Sequence, residues 1–255
     1  MTSDRFCIPI FWAGIVLMCA LMLVRLCDII SIYEPLQLIS TVDEHASLFA
    51  IWKSINGLSV YGAPEQSPYA MAFFNVLFYK AYALWAAFWL SALSLPDAWL
   101  PTVCRVLTLL GSLTGWLAMT LTLHSVQNKI SAGKVSLSPL FPAFAATVLF
   151  IGPMTGFWSL TVRPDVWAVV FEIIAVAFFL RYYATRKQSA VLLAFVFLMI
   201  TWLVKQPSVS VAGGIGLFLL FERQWRLLVI YSTLFIIAWA LVLYFGTDAF
   251  RGSIL

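Results

Sequence analysis

Charge is what this sequence has least of. Lysine, arginine, aspartate and glutamate make up 10% of its 255 residues, against about a quarter in an ordinary soluble domain. So few charges cannot give a globule of this size a solvated face. That excludes a soluble enzyme, a disordered tail and a nucleic-acid-binding module together. Histidine is nearly missing as well: two residues exclude a histidine-rich metal centre and most haem architectures. The four cysteines, Cys7, Cys19, Cys27 and Cys104, have neither zinc-site nor redox spacing. No cysteine framework organises the fold, and a Cys27–Cys104 bridge is the one pairing left open.

What is present is apolar. Hydrophobic residues account for 63% of the chain and the mean hydropathy is +0.97. This is the composition of an all-α integral membrane protein, with about 20 residues needed per spanning helix. After a short polar head with Asp4 and Arg5, residues 8–24 are apolar and no small-x-small cleavage signal follows, as in an uncleaved signal anchor. The charge-free runs predict seven spans, at residues 8–24, 106–123, 137–162, 166–180, 189–204, 208–221 and 227–245. Residues 69–95 are long enough to cross but carry Asn75 and Lys80 in the middle.

The positive-inside rule arbitrates. If residues 69–95 lie in the interface and the N-terminus is cytoplasmic, the inside collects Arg5, Lys129, Lys134, Arg181, Arg186, Lys187, Arg223 and Arg226. If they cross, the inside keeps only Arg5, Arg105, Arg163, Lys205 and Arg251. The first arrangement is the better one. It makes the chain a single transmembrane module over residues 1–255, with an extracytoplasmic loop at residues 28–100 that holds interfacial helices. In that loop a helix is expected to start after Thr41, with Asp43 and Glu44 in its first turn, and to stop at Asn56-Gly57. Gly111–Gly115, Gly152–Gly156 and the Gly213, Gly214, Gly216 cluster are read as close helix packing.

Two constellations carry the chemistry. Arg163-Pro164-Asp165 and Lys205-Gln206-Pro207 each set a cation before a proline that opens the next helix. Helix N-termini beside cations attract anions, and the natural anion at the outer face is the phosphate of a lipid-linked donor. Arg105 and Lys80 would complete a basic funnel. Opposite it stand Asp43 and Glu44, adjacent carboxylates able to serve as general base or to hold a divalent metal, or simply to complement the helix dipole. Glu172, seven residues beyond Asp165, falls on nearly the same helix face.

In order and sidedness these features resemble the GT-C superfamily of polyprenyl-phosphate-sugar-dependent glycosyltransferases. The branch with protein O-mannosyltransferases and lipid A aminoarabinose transferases is the most similar, and the likeness is to its seven-helix module. The resemblance implies that Asp43 is the catalytic carboxylate, that Glu44 assists it or contacts a metal, and that Asp165 shapes the same site. It implies that Arg163, Lys205, Gln206, Arg105 and Lys80 hold the donor phosphate. A divalent metal is the one cofactor it allows, at Asp43 and Glu44. The expected partners are a polyprenyl-phosphate-sugar donor, an acceptor of unspecified kind and membrane lipids, with no nucleic acid. The expected location is the bacterial inner membrane ahead of the endoplasmic reticulum, with the active site extracytoplasmic. A second reading keeps the fold without the chemistry: a non-catalytic GT-C-like subunit that binds lipid or scaffolds a partner membrane subunit. A lipid-phosphate transporter would be expected to show inverted repeats, and none stands out.

Overall fold

The computed structural model describes residues 3–31, 42–61, 72, 74–130, 138, 140–152, 154, 156–205 and 209–245. The side chain of Asp43 and the whole of Gln206 lie outside the described part. Among the described residues the fold is all-helical: α1 (Ser3–Ser31), α2 (Val42–Ile55), α3 (Val76–Ala92), α4 (Leu100–Ile130), α5 (Phe141–Phe150), α6 (Asp165–Thr185), α7 (Gln188–Val204), α8 (Ser210–Phe221) and α9 (Trp225–Phe245). Short 3-10 turns at Asp97–Trp99 and Gly156–Ser159 precede α4 and α6.

Among the described residues three helices are long and apolar enough to cross a bilayer: Asp97–Asn128, Asp165–Thr185 and Trp225–Phe245. This places the protein in the membrane. The other apolar stretches, residues 8–24 of α1 among them, run to 10–17 residues, and two expected spans are not single full-length helices. Residues 137–162 do not form one crossing helix. Helix α5 has 10 residues, about 15 Å at 1.5 Å per residue, and the chain then turns at Ile151-Gly152. The 208–221 run yields only the 12 residues of α8, about 18 Å, well short of a hydrocarbon core of about 30 Å. Apolar content makes each run look like one full-length helix; the continuous helix in each is shorter.

Helix α2 begins and ends where its sequence signals lie. At its C-terminal end Gly57 takes φ +70°, and Leu58 N–H donates to the Lys53 carbonyl at 2.8 Å. Such a left-handed closure needs a residue without Cβ strain. Helix α4 is the central post. Its Gly111 and Gly115 let neighbours approach closely: a Cβ on Gly115 would lie 2.3 Å from the Phe150 ring and 2.8 Å from Val170. A Cβ on Gly111 would lie 2.9 Å from the Trp167 ring. The other glycines differ. Gly152 sits in a turn, where a Cβ would lie 2.6 Å from Met18 Sδ of α1, a Cβ on Gly216 would meet Tyr231 of α9 at 4.0 Å, and Gly213 and Gly214 face open space.

Three apolar clusters fill the bundle. The first joins α2, α3, the start of α4, Val162, Ala168 and Val204. The second joins the later part of α6 with α7, α8 and α9. The third joins α1, α5 and the first half of α6. The first cluster is the floor of the site described next. Cys104 is a free thiol buried within it and Cys27 is free and exposed, so no bridge joins them.

Candidate functional site

The start of α4, the start of α6 and the end of α7 meet at one end of the bundle. Two ionic groups form there, joined through the short segment Val162–Arg163.

The first group is buried. Glu44, in the first turn of α2, is fully enclosed. Arg105, in the second turn of α4, donates to it twice, Nε to Oε1 at 3.0 Å and a terminal nitrogen to Oε2 at 3.1 Å. The Val162 backbone N–H adds a third bond to Oε1 at 2.9 Å. A bidentate guanidinium–carboxylate pair with a further amide donor is the form in which a carboxylate can stay ionised inside a protein. This pair pins α2, α4 and the segment before α6 to one point.

The second group is partly buried. Asp165, in the first turn of α6, accepts from Arg163 Nε at 3.2 Å and from Lys205 Nζ. Lys205 leaves α7 in an extended conformation, φ −145° and ψ 128°, which carries its ammonium across to α6. The Arg163 guanidinium also lies 4.9 Å from the centre of the Trp158 ring. Among the described residues two cations thus share one carboxylate at this point.

Below this cluster runs an apolar groove of about 510 Å³ between α3, α4, α6 and α7. Leu77, Tyr82, Leu84 and Trp85 of α3 line one wall; Leu107, Trp167 and Val204 line the others. Of its lining residues, Val204 directly precedes Lys205 and Trp167 is two residues from Asp165, so the groove and the ionic cluster are neighbours along the chain. Lys80 is exposed on α3. It lies three residues from Leu77 and four from Leu84 but is not among the residues that line the groove.

The structure therefore brings the expected residues together in two sets. Asp165, Arg163 and Lys205 form one cluster. Glu44 and Arg105 form another, and there the geometry departs from the sequence expectation: the Arg105 guanidinium assigned to phosphate is held by Glu44. Lys80 stands exposed on α3 and, among the described residues, joins neither set. The expectations for the Asp43 side chain and for Gln206 lie outside the described residues. As a metal ligand Glu44 does not fit, because both its oxygens already receive N–H donors of a cation, and a divalent ion would be repelled from that position. Among the described residues no three His, Cys, Asp or Glu side chains converge as a metal set.

Sequence reasoning missed several members. Trp158 on Arg163 has no motif. The Val162 amide is invisible in any side-chain pattern. Asn75 stands at the N-cap position of α3 and donates its side-chain amide to the Trp202 carbonyl near the end of α7, while its own Oδ1 is buried without a partner among the described residues. A polar residue breaking an apolar run was the only signal for it. Outside the membrane-crossing helices, burial pushes the Tyr61 phenol well above its ordinary range, with Tyr79 adding to the effect. That phenol acts as a donor, to the Phe74 carbonyl at 2.6 Å.

No family model, no curated protein and no solved structure matches this chain.

Proposed function

We propose that this protein is a membrane glycosyltransferase of the GT-C type, which moves a sugar from a polyprenyl-phosphate-linked donor to an acceptor on the extracytoplasmic side. The observation that carries the reading is the closeness along the chain of the apolar groove and the Arg163–Asp165–Lys205 cluster: Val204 of the groove directly precedes Lys205, and Trp167 is two residues from Asp165. An isoprenoid tail needs a dry channel, and its phosphate needs cations. The seven-span arrangement, with the site outside and Arg181, Arg186, Lys187, Arg223 and Arg226 inside, belongs to this proposal.

In the reaction, the acceptor oxygen attacks the anomeric carbon, the bond from that carbon to the phosphate oxygen breaks, and the acceptor proton passes to a carboxylate, assigned to Asp43. Negative charge grows on the leaving phosphate. Lys205 and Arg163 stabilise it there, held in place beforehand by Asp165. Glu44 acts as a positioning residue: its pair with Arg105 fixes the segment that presents Arg163.

The test uses the full chain in nanodiscs with undecaprenyl phosphate as the probe, followed by native mass spectrometry. Retention of the lipid, at least about tenfold weaker in Lys205→Gln and weaker again when Leu84→Trp fills the groove, is expected. Equal retention by all three proteins sinks the reading. Glycan product must also disappear in Asp43→Asn.

A second reading, the non-catalytic lipid-binding or scaffolding subunit, is favoured by one specific observation. Glu44 and Arg105, two of the residues assigned to chemistry, are committed to each other in a buried pair. Undecaprenyl phosphate binding with unaltered glycan product in Asp43→Asn would select it.

A further inference from the structure

At the end of the bundle away from the site, α4 and α6 part company. They run in the same direction and press together where Gly115 meets Val170. Further along, small residues leave a cleft of about 320 Å³, lined by Leu121, Thr122 and Ser125 of α4 and by Leu180, Arg181 and Thr185 of α6, among others. Arg181 lies sixteen residues beyond Asp165, about 24 Å along the helix. In a hydrocarbon core of about 30 Å that depth places its guanidinium at the opposite headgroup level.

Among the described residues the charge there is unbalanced: Arg181 forms no ion pair, and Glu222, an acid at this end, is engaged by Arg186 at 3.5 Å. Thus one guanidinium faces a half-open cleft with hydroxyl-bearing walls and an apolar floor. A guanidinium at an interface favours a phosphate oxygen pair, while Leu121 and Leu180 offer contact to hydrocarbon. We infer that this cleft binds an anionic phospholipid, with its phosphate on Arg181 and Ser125 and an acyl chain laid between α4 and α6. This site is separate from the proposed donor groove and does not depend on the glycosyl-transfer reading.

The full chain is purified, exchanged into nanodiscs holding phosphatidylglycerol and phosphatidylcholine in equal amounts, and released for native mass spectrometry. Wild type is expected to retain phosphatidylglycerol over phosphatidylcholine. Arg181→Gln is expected to lose at least about tenfold in that retention, and Arg181→Lys less. Arg226→Gln, which removes an exposed charge at the same end but outside the cleft, is expected to behave as wild type. Ala184→Trp keeps every charge and fills the cleft, so it should also lose the lipid; it decides the matter if Arg181→Gln does not fold. Inorganic phosphate at millimolar concentration should not compete. The inference is overturned if Arg181→Gln or Ala184→Trp retains phosphatidylglycerol as wild type does. Equal loss in Arg226→Gln overturns it too, since the attraction would then be diffuse, and so does displacement of the lipid by free phosphate.

Discussion

Removing either member of the Glu44–Arg105 pair should unfold this protein far more readily than removing both. With Nε–Oε1 at 3.0 Å and a second bond at 3.1 Å, the charge centres lie about 4 Å apart, and their attraction is about 4 kcal/mol at an effective dielectric of about 20. Glu44→Leu forfeits that attraction, leaves a buried guanidinium unpaired, and strands the Val162 amide, itself worth about 1–3 kcal/mol. The single variant should therefore lose about 3–5 kcal/mol, the usual range for breaking a buried pair from one side. Arg105→Met should cost a similar amount by leaving the carboxylate bare. The double variant Glu44→Leu/Arg105→Met leaves no charge behind, and its main deficit is the Val162 amide, about 1–3 kcal/mol. The expected coupling is thus at least about 3 kcal/mol, well above the scatter of about 0.5 kcal/mol between independent sites. Equilibrium unfolding in mixed micelles, followed by the fluorescence of the eleven tryptophans, measures all four proteins. Additive single effects, with coupling below about 0.5 kcal/mol, would refute the geometry and the positioning role assigned to Glu44.

Three further outcomes follow from the packing and the site. Gly115→Ala should destabilise by about 1–3 kcal/mol through overpacking against Phe150 and Val170, whereas Gly213→Ala, in open space on α8, should stabilise by about 0.5–1 kcal/mol; the same unfolding assay reads both, and the opposite order would contradict the close approach of α4 and α5. Cys104, with no exposed surface, should resist a maleimide in the folded protein while exposed Cys27 reacts; mass spectrometry of labelled peptides shows which thiol is modified. Asn75→Ala should lower stability by about 0.5–1.5 kcal/mol by removing its bond to the Trp202 carbonyl, and a thermal melt in detergent with no shift would place α3 free of α7.

The local grammar of the sequence was legible because it depends on neighbours in the chain. Asn56-Gly57 ends α2 since only its backbone freedom is at issue. Pro164-Asp165 opens α6 by rules that act within one turn. Scarce charge with abundant apolar side chains fixes the membrane as solvent, whatever the fold inside it. Hydropathy, however, sums side chains and not hydrogen-bond continuity. It therefore counted residues 137–162 as one span, although Gly152-Pro153 and Gly156 already marked a break within the apolar run.

The site divides along the same line. That Arg163, Asp165 and Lys205 belong together could be inferred from two similar turns, and α6 and α7 do place them in contact. That Arg105 serves Glu44 could not, because the two are 61 positions apart and a cation in isolation does not declare its partner. By itself the sequence determined the solvent, the all-helical class and where several helices start and stop, all of which rest on composition and short-range chain stereochemistry. The tertiary structure alone decided which charges neutralise one another and which are left over for a ligand, because in a low-dielectric interior an ion's energy is set by what packs within a few ångströms of it, and that neighbour comes from anywhere in the chain.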